Sequence, residues 1–454
     1  MQKPARPMNI LLIIADDHAA HALSCYGSVI NRTPNLDALA AQGMRLDAAF
    51  VTNSLCGPSR ACILTGTYAH QNGFKQNEDQ FDGGQWHFAK ELQQRGYTTA
   101  WVGKWHLETA PTGFTWHDIL PGHGIYVDSP FLVMGERTPS KGYVTDVITD
   151  KAIAWLERQP VEKPFCLVVG HKAPHRSWVP DAAHQKEFAG QVIPEPATLF
   201  DDYATRGPAA AEATMRVSRD LSKDDVKGTP PAELSGDALT RWYYQRYMQD
   251  YLACVQSLDA NVGRLMGWLD SHGHRDDTLV VYTSDNGFFL GDHGYYDKRF
   301  AYEESLRVPM LVRWPSVTTK GTSSNALALN LDLTPTILDA ACAYIPESVQ
   351  GKSLKPVLLG APPANWRQSI YYHYYEYPDP HRVHPHLAVR TQTHKLLWFP
   401  TLAVFELYDL RKDPHELNNL AGKKDHAEVE HQLRAELERL RQQFADNTIG
   451  SVPR

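Results

Sequence analysis

The six cysteines of this 454-residue chain stand at positions 25, 56, 62, 166, 254 and 342, and without paired spacing they predict no disulfide framework. A basic excess is missing too. A net charge of −7 and a pI near 6.3 argue against a nucleic-acid partner, so any anionic substrate must be met by locally placed cations. No apolar run is long enough to cross a membrane. The one nearest the N-terminus, Met8 to Ala15, stops at Asp16-Asp17, where acids replace the small residues of a leader cleavage site. The chain is accordingly expected to have no membrane partner and to be cytoplasmic, or periplasmic or secreted if a leader has been removed. Internal repeats and low-complexity tracts are absent. Asn31-Arg32-Thr33 fits a glycosylation sequon, but so short a match carries no weight.

What remains is a globular composition, 43% hydrophobic and 21% charged, and a length that allows one large domain with a smaller one. Apolar runs at Asn9 to Ala15, Thr98 to Val102, Phe165 to Gly170, Leu279 to Thr283 and Val308 to Arg313 read as buried strands. They alternate with helical patterns over Thr33 to Gln42, Phe88 to Arg95, Val144 to Gln159 and Trp242 to His272. The alternation predicts an α/β fold, a large mixed and mostly parallel sheet covered by helices on both faces, with sites beyond the carboxyl ends of the strands. Val192 to Asp237, rich in Pro, Ala, Asp and Lys, has little periodicity. It reads as an excursion over the surface that shapes a cleft or an oligomer interface.

Near Pro362 to Asn365 the pattern changes. Ser369 to Tyr375, Leu387 to Thr391, Lys395 to Phe399 and Phe405 to Asp409 predict a smaller antiparallel sheet. Val429, Leu433, Leu437, Leu440 and Phe444 put one face of a last helix, His426 to Asp446, on that sheet. Residues 1–365 are thus expected to form a catalytic domain and 366–454 a C-terminal subdomain.

Two places concentrate chemistry. Asp16 and Asp17 end the first strand and Asp285-Asn286 end another, offering oxygen ligands that suit Ca²⁺ or Mg²⁺ better than Zn²⁺; one such strand end alone is more often a turn or helix cap, and it is the pair of them that points to a metal. The run Leu55-Cys56-Gly57-Pro58-Ser59-Arg60-Ala61-Cys62-Ile63-Leu64-Thr65-Gly66 reads as a helix with Pro58 at its first position and Gly66 as its stop. Cys56 then sits where free N–H groups favour an anion, or is an ordinary buried thiol before a helix.

The string Cys56-Gly57-Pro58-Ser59-Arg60 with its Leu-Thr-Gly tail resembles the signature of the type I, formylglycine-dependent sulfatases of the alkaline phosphatase superfamily. So do Gly103-Lys104-Trp105-His106, Pro174-His175 and Lys298 beyond the Asp285-Asn286 strand. The resemblance covers nearly the whole chain and implies that Cys56 is oxidised by a formylglycine-generating maturation enzyme. It further implies Ca²⁺, with Mg²⁺ as the alternative, held by Asp16, Asp17, residue 56, Asp285 and Asn286. In the implied mechanism one hydroxyl of the hydrated aldehyde at position 56 attacks sulfur, and the other lets the intermediate collapse to aldehyde and sulfate. Arg60, Lys104 and Lys298 offset charge on the sulfuryl oxygens, His175 or Lys298 protonates the leaving alcohol, and His106 is the base.

Thr67 to Gly73, His171 to His175, Asp297 to Ser305 and the C-terminal strings 374–391 and 405–420 are most similar to the branch with N-acetylglucosamine-6-sulfatases and mucin-desulfating enzymes. The implied partner is a sulfated small molecule or carbohydrate such as glucosamine-6-sulfate, with aryl sulfates as surrogates; the oligomeric state is left open. His293 in Gly291-Asp292-His293-Gly294 is a candidate substrate contact. His386 and Arg390, with His373, His381, Arg382 and His384, are read either as further contacts or as a polar hairpin loop. Trp178, Trp242 and Tyr295 are sugar-stacking candidates or buried aromatics. Two alternatives stand beside the sulfatase reading: a formylglycine-dependent phosphodiesterase or phosphonate monoester hydrolase, disfavoured by Asp285-Asn286 where Asp-His is expected, and a non-catalytic sulfated-glycan-binding pseudo-sulfatase.

Overall fold

The computed structural model describes residues 7–453. Among the described residues sixteen strands form three sheets. In chain order they are β1 (Asn9–Ala15), β2 (Met44–Leu46), β3 (Ala49–Phe50), β4 (Thr98–Lys104), β5 (Trp116–Leu120), β6 (Phe131–Val133), β7 (Glu136–Thr138) and β8 (Phe165–Gly170). There follow β9 (Thr278–Ser284), β10 (Met310–Arg313), β11 (Thr322–Ser324), β12 (Ala328–Leu329), β13 (Ser369–Tyr374), β14 (His386–Thr391), β15 (His394–Phe399) and β16 (Val404–Asp409). The main sheet has the order β11-β2-β10-β9-β1-β8-β4-β5-β6-β7. Its centre, β9-β1-β8-β4-β5, is parallel throughout, while β10, β6 and β7 run antiparallel to the strands beside them. The expected α/β architecture, mixed and mostly parallel, is the one observed.

The continuous apolar character of β1 follows from burial on both faces. Leu11, Ile13 and Ala15 join one core, with the helices Val144–Leu156 and Gly236–Ser271 above it, while Ile10, Leu12 and Ile14 join the other, under Phe88–Gln94 and Leu333–Ala340. The long helix begins six residues before its first tryptophan, Trp242. Its opening turn is mostly solvent-exposed and carries no apolar repeat, so the sequence pattern shows only the part that packs. Gly103 lies where β4 and β8 approach too closely for any side chain: φ is +96°, and a Cβ would come within 2.1 Å of the Gly170 carbonyl oxygen.

Strands β13 to β16 form the expected antiparallel meander. The helix Ala427–Gln443 docks on it through Leu433, Leu437 and Leu440, and Phe444, just past the helix end, packs on Tyr68. The 192–237 excursion contains only short helices and runs over the loop after β9, where the Tyr296 N–H donates to the Met215 carbonyl and the Val217 N–H to that of Gly294, both at 2.9 Å. Cys25, Cys56, Cys62, Cys166 and Cys254 form no disulfide among the described residues. Among the described residues no helix is long and apolar enough to cross a membrane.

Candidate active site

Register explains why distant motifs meet. β1 pairs with β9 so that Ala15 lies opposite Ser284, which places Asp16 beside Asp285. On the other side of β1 comes β8, followed by His171 to His175, and next β4, which ends in Lys104. Four neighbouring strand ends therefore deliver the carboxylates, the lysine and the histidines to one spot, the general location for sites in such sheets.

The helix Cys56–Thr65 points its N-terminus at the same spot. It starts at Cys56, so Pro58 occupies the third position instead of the first; the first intrahelical bond is donated by Ser59 to Leu55, and proline costs nothing there because that N–H is still unpaired. The Gly57 N–H is taken up by Asn77 Oδ1 at 3.1 Å.

Around Cys56 the charges interlock. Lys104 Nζ donates to Asp16 Oδ2. Lys298 Nζ donates to both oxygens of Asp17 at 2.7 and 2.8 Å, and Asn286 Nδ2 donates to Asp17 Oδ1 at 2.6 Å. Arg60 Nε donates to Asp285 Oδ2 at 2.8 Å and its Nη1 to the Lys104 carbonyl at 2.7 Å. Cys56 Sγ lies 3.9 Å from Asp17 Oδ1 and His175 Nε2 lies 3.8 Å from Asp17 Oδ2. Asp17, His106, Asp297 and Arg299 all have positive φ, a concentration of backbone strain typical of functional sites.

Burial opposes charge on every carboxylate here. It is overcome at Asp16, which Lys104 above all, then His175, Arg60 and Lys298, hold well below the usual range. At Asp17 it prevails despite Lys298, and burial together with the Asp16 charge pushes Asp285 up to about 7. Such a cluster calls for more positive charge. Asp16 Oδ1 and Asn286 Oδ1 are buried without any hydrogen-bond partner, and ligand atoms of Asp16, Asp17, Cys56 and Asp285 lie within 4.8 Å of one another. An oxygen-dominated donor set with unspent acceptors fits a hard divalent cation. Burial also raises the Cys56 thiol well above its ordinary value, so the unmodified residue is a poor nucleophile.

A sequence model described as Sulfatase matches residues 8–343 of the chain, and one described as N-sulphoglucosamine sulphohydrolase, C-terminal, matches residues 291–443. The chain belongs to the sulfatase family. It is 44% identical to the N-acetylglucosamine-6-O-sulfatase of Bacteroides thetaiotaomicron, over 98% of this chain and 88% of that protein. A solved structure of a protein in complex with its substrate D-glucosamine-2-N,6-O-disulfate superposes with a TM-score of 0.95 at 43% identity, covering 97% of this chain and 99% of the other. The phosphonate monoester hydrolase of Agrobacterium radiobacter, at 24% identity and a TM-score of 0.80 over 97% of this chain and 96% of its own, shares the fold. This sulfatase is a sulfuric ester hydrolase.

The sulfatase brings together Asp16, Asp17, Cys56, Arg60, Lys104, His106, His175, Asp285, Asn286 and Lys298. Three other expected site residues are placed elsewhere. His293 is fully buried, with Nδ1 hydrogen-bonded to Asp201 Oδ2 at 3.0 Å and Nε2 3.5 Å from Glu304 Oε2; enclosed between two carboxylates of the protein, it lies apart from the cluster around Cys56, which speaks against the substrate-contact reading. His386 is fully buried as well. Its Nε2 accepts from the Ala301 N–H at 3.0 Å and its Nδ1 donates to the His384 carbonyl at 2.8 Å, so it holds the Lys298 loop and does not face a ligand. Arg390 is paired to both oxygens of Glu303 at 3.2 Å and lies over Phe50. Trp178 and Tyr295 are core residues, and Trp242 packs against the same core.

The sulfatase also gathers residues to which the sequence alone assigns no role. His123, on the turn after β5, has its ring 4.1 Å from that of His106 and stacked at 4.6 Å on His175. Lys104 and then burial push it down to about 2. Asp297 and Arg299 flank Lys298 and pair with each other, Arg299 also with Glu376 at 3.2 Å and Asp297 with His381 at 3.3 Å. Their positions on either side of the lysine, within the stretch Asp297 to Ser305, are the sequence signal for them.

Proposed function

We propose that this sulfatase removes sulfate from a sulfated sugar, with glucosamine-6-sulfate the first candidate. The reading is carried by the near full-length likeness to an N-acetylglucosamine-6-O-sulfatase and to a structure holding a glucosamine disulfate, and is supported by the cation-ringed position of Cys56. Asp16, Asp17, Asp285 and Asn286 would hold a divalent cation, Ca²⁺ or Mg²⁺, supplying positive charge at the sulfate; Cys56, once converted to formylglycine, would supply the nucleophilic hydroxyl.

The chain's own groups then divide the work. Arg60, anchored on Asp285, and Lys104, anchored on Asp16, fix positive charge beside position 56 before any substrate arrives, so no reorganisation is needed as charge develops. Burial, aided by Lys104, holds His106 neutral, as a base must be. His175 Nδ1 faces the Arg176 carbonyl at 2.5 Å, leaving its Nε2 lone pair toward the site. It acts as an acid only when doubly protonated, a state the charge of a bound sulfate ester favours. Lys298, kept protonated by Asp17 against the effect of burial, is the second proton source within reach. His123 is positioned to orient both imidazoles.

Released sulfate from glucosamine-6-sulfate and from an aryl sulfate, compared with turnover of an aryl phosphodiester, tests the reading. Preference for the diester would overturn it in favour of the phosphodiesterase alternative.

A further inference from the structure

The 192–237 excursion carries none of this chemistry, yet it sends one fully buried carboxylate to the edge of the site. Asp225, in the short helix Lys223–Val226, accepts from Arg176 Nε at 3.1 Å and Nη2 at 2.5 Å. The carboxylate is fixed in turn by Ser177 Oγ at 3.1 Å and by the Ser222 N–H and Oγ at 2.8 and 2.7 Å.

Arg176 directly follows His175. Its guanidinium lies 4.8 Å from the centre of the Tyr296 ring, and its Nη1 is 3.4 Å from His381 Nε2. His381 itself is 3.3 Å from Asp297, and its Nδ1 donates to the Thr214 carbonyl of the excursion at 2.8 Å. One side chain thereby touches the His175 turn, the segment leading to Lys298 and the C-terminal hairpin.

A guanidinium has five N–H groups in a rigid plane. Nε, one N–H of Nη2 and one of Nη1 are engaged, which leaves two. Asp225 is sealed, whereas the Arg176 side chain is 24% exposed, so solvent reaches part of a side chain that has two donors unspent and directly follows the proposed acid in the chain. A purely structural brace needs no open donor edge, and holding the plane bidentately removes most of the entropy a flexible arginine would lose on binding.

We propose that Arg176 is a specificity-determining residue that donates these two N–H groups to hydroxyl or anionic oxygens of the sugar bearing the sulfate, and that Asp225 is its positioning residue. This rests on the sugar-sulfate reading above. An aryl sulfate presents the same ester but no such oxygens.

The experiment is the ratio of kcat/KM for glucosamine-6-sulfate to kcat/KM for an aryl sulfate in wild type, Asp225→Asn, Arg176→Lys and the exposed neighbour control Asp224→Asn, with melting temperatures for all four. The ratio is expected to fall about 10- to 100-fold in the first two variants, the loss of one or two hydrogen bonds to a charged donor, and to hold in the control. Should Asp225→Asn not fold, Arg176→Lys, which keeps the charge and loses the fork, carries the test. An unchanged ratio, with sugar turnover intact in the wild type, overturns this inference alone. Wild-type turnover of aryl sulfate but of no member of a sulfated-monosaccharide panel overturns the sugar reading and this inference with it.

Discussion

The stability of the fold should fall between pH 6.5 and 9 because of one histidine. His293 lies wholly inside the protein between two carboxylates, Asp201 Oδ2 at 3.0 Å and Glu304 Oε2 at 3.5 Å. Its own N–H donates to Thr198 Oγ1 at 2.9 Å and its carbonyl accepts from Tyr203 at 2.6 Å. Burial alone would strip its proton, but Asp201 and Glu304 reverse that and raise it to about 9. A histidine raised above its unfolded value contributes stability that is complete below about 6.5 and lost as pH climbs through the folded value. Carried from 6.5 to about 9, the group is worth about 3 kcal/mol. Asp201, which burial would raise but His293 leads in holding at about 2, contributes in the opposite sense and outside this window, since its share is lost only as pH falls toward 2. At an unfolding entropy of roughly 2 cal/mol/K per residue, 3 kcal/mol in a chain of this length is about 3 °C of melting temperature. Thermal melts of wild type and His293→Gln from pH 6 to 9.5 measure it. The wild type should lead most at pH 6 to 6.5, and the gap should close by about 3 °C toward pH 9.5. A gap of constant size across the range would refute the charged-histidine account.

Three further outcomes follow from particular contacts. Cys56→Ala should abolish turnover and Cys56→Ser should allow at most one, with sulfate retained on the protein; intact mass of active wild-type protein showing only unmodified cysteine would exclude the formylglycine reading. Chelation should abolish sulfate release and lower the melting temperature, because Asp16, Asp17 and Asp285 are left facing one another; a cation at a hundredfold excess over its Kd is worth about 2.7 kcal/mol, and a melt indifferent to chelator and to added Ca²⁺ or Mg²⁺ would count against the cation. His386→Ala strands the buried Ala301 N–H and should cost about 1–3 kcal/mol of stability while leaving KM for glucosamine-6-sulfate unchanged, so a raised KM at unaltered stability would restore His386 to the binding surface.

The residues legible in the sequence are those whose function is also their placement. Asp16-Asp17, Lys104 and Asp285-Asn286 follow apolar runs that can only be interior strands, and in a parallel sheet the ends of neighbouring strands converge whatever the intervening loops do. The pairing of Ala15 with Ser284 and of Gly103 with Gly170 turns three linear motifs into one cluster without further information. His293, His386 and Arg390 differ in kind. Each is polar, near a motif and suited to binding, but its role depends on which distant group reaches it first: Asp201 from the excursion, the Ala301 N–H from the Lys298 loop, Glu303 from the short helix Glu303–Leu306. A buried histidine satisfied by the chain and one satisfied by a ligand carry the same letter, and the difference lies in contacts between segments about ninety residues apart. His123 and Asp225 show the converse. His123 reaches the centre of the site on a glycine-flanked turn, and Asp225 reaches its edge from a stretch whose composition shows only that it lacks regular structure. Metal and sulfate chemistry is therefore written at the strand ends, whereas what the sugar meets is decided by loops that the sheet does not position, and it is there, at Arg176 and Asp225, that substitutions should separate sugar from aryl esters.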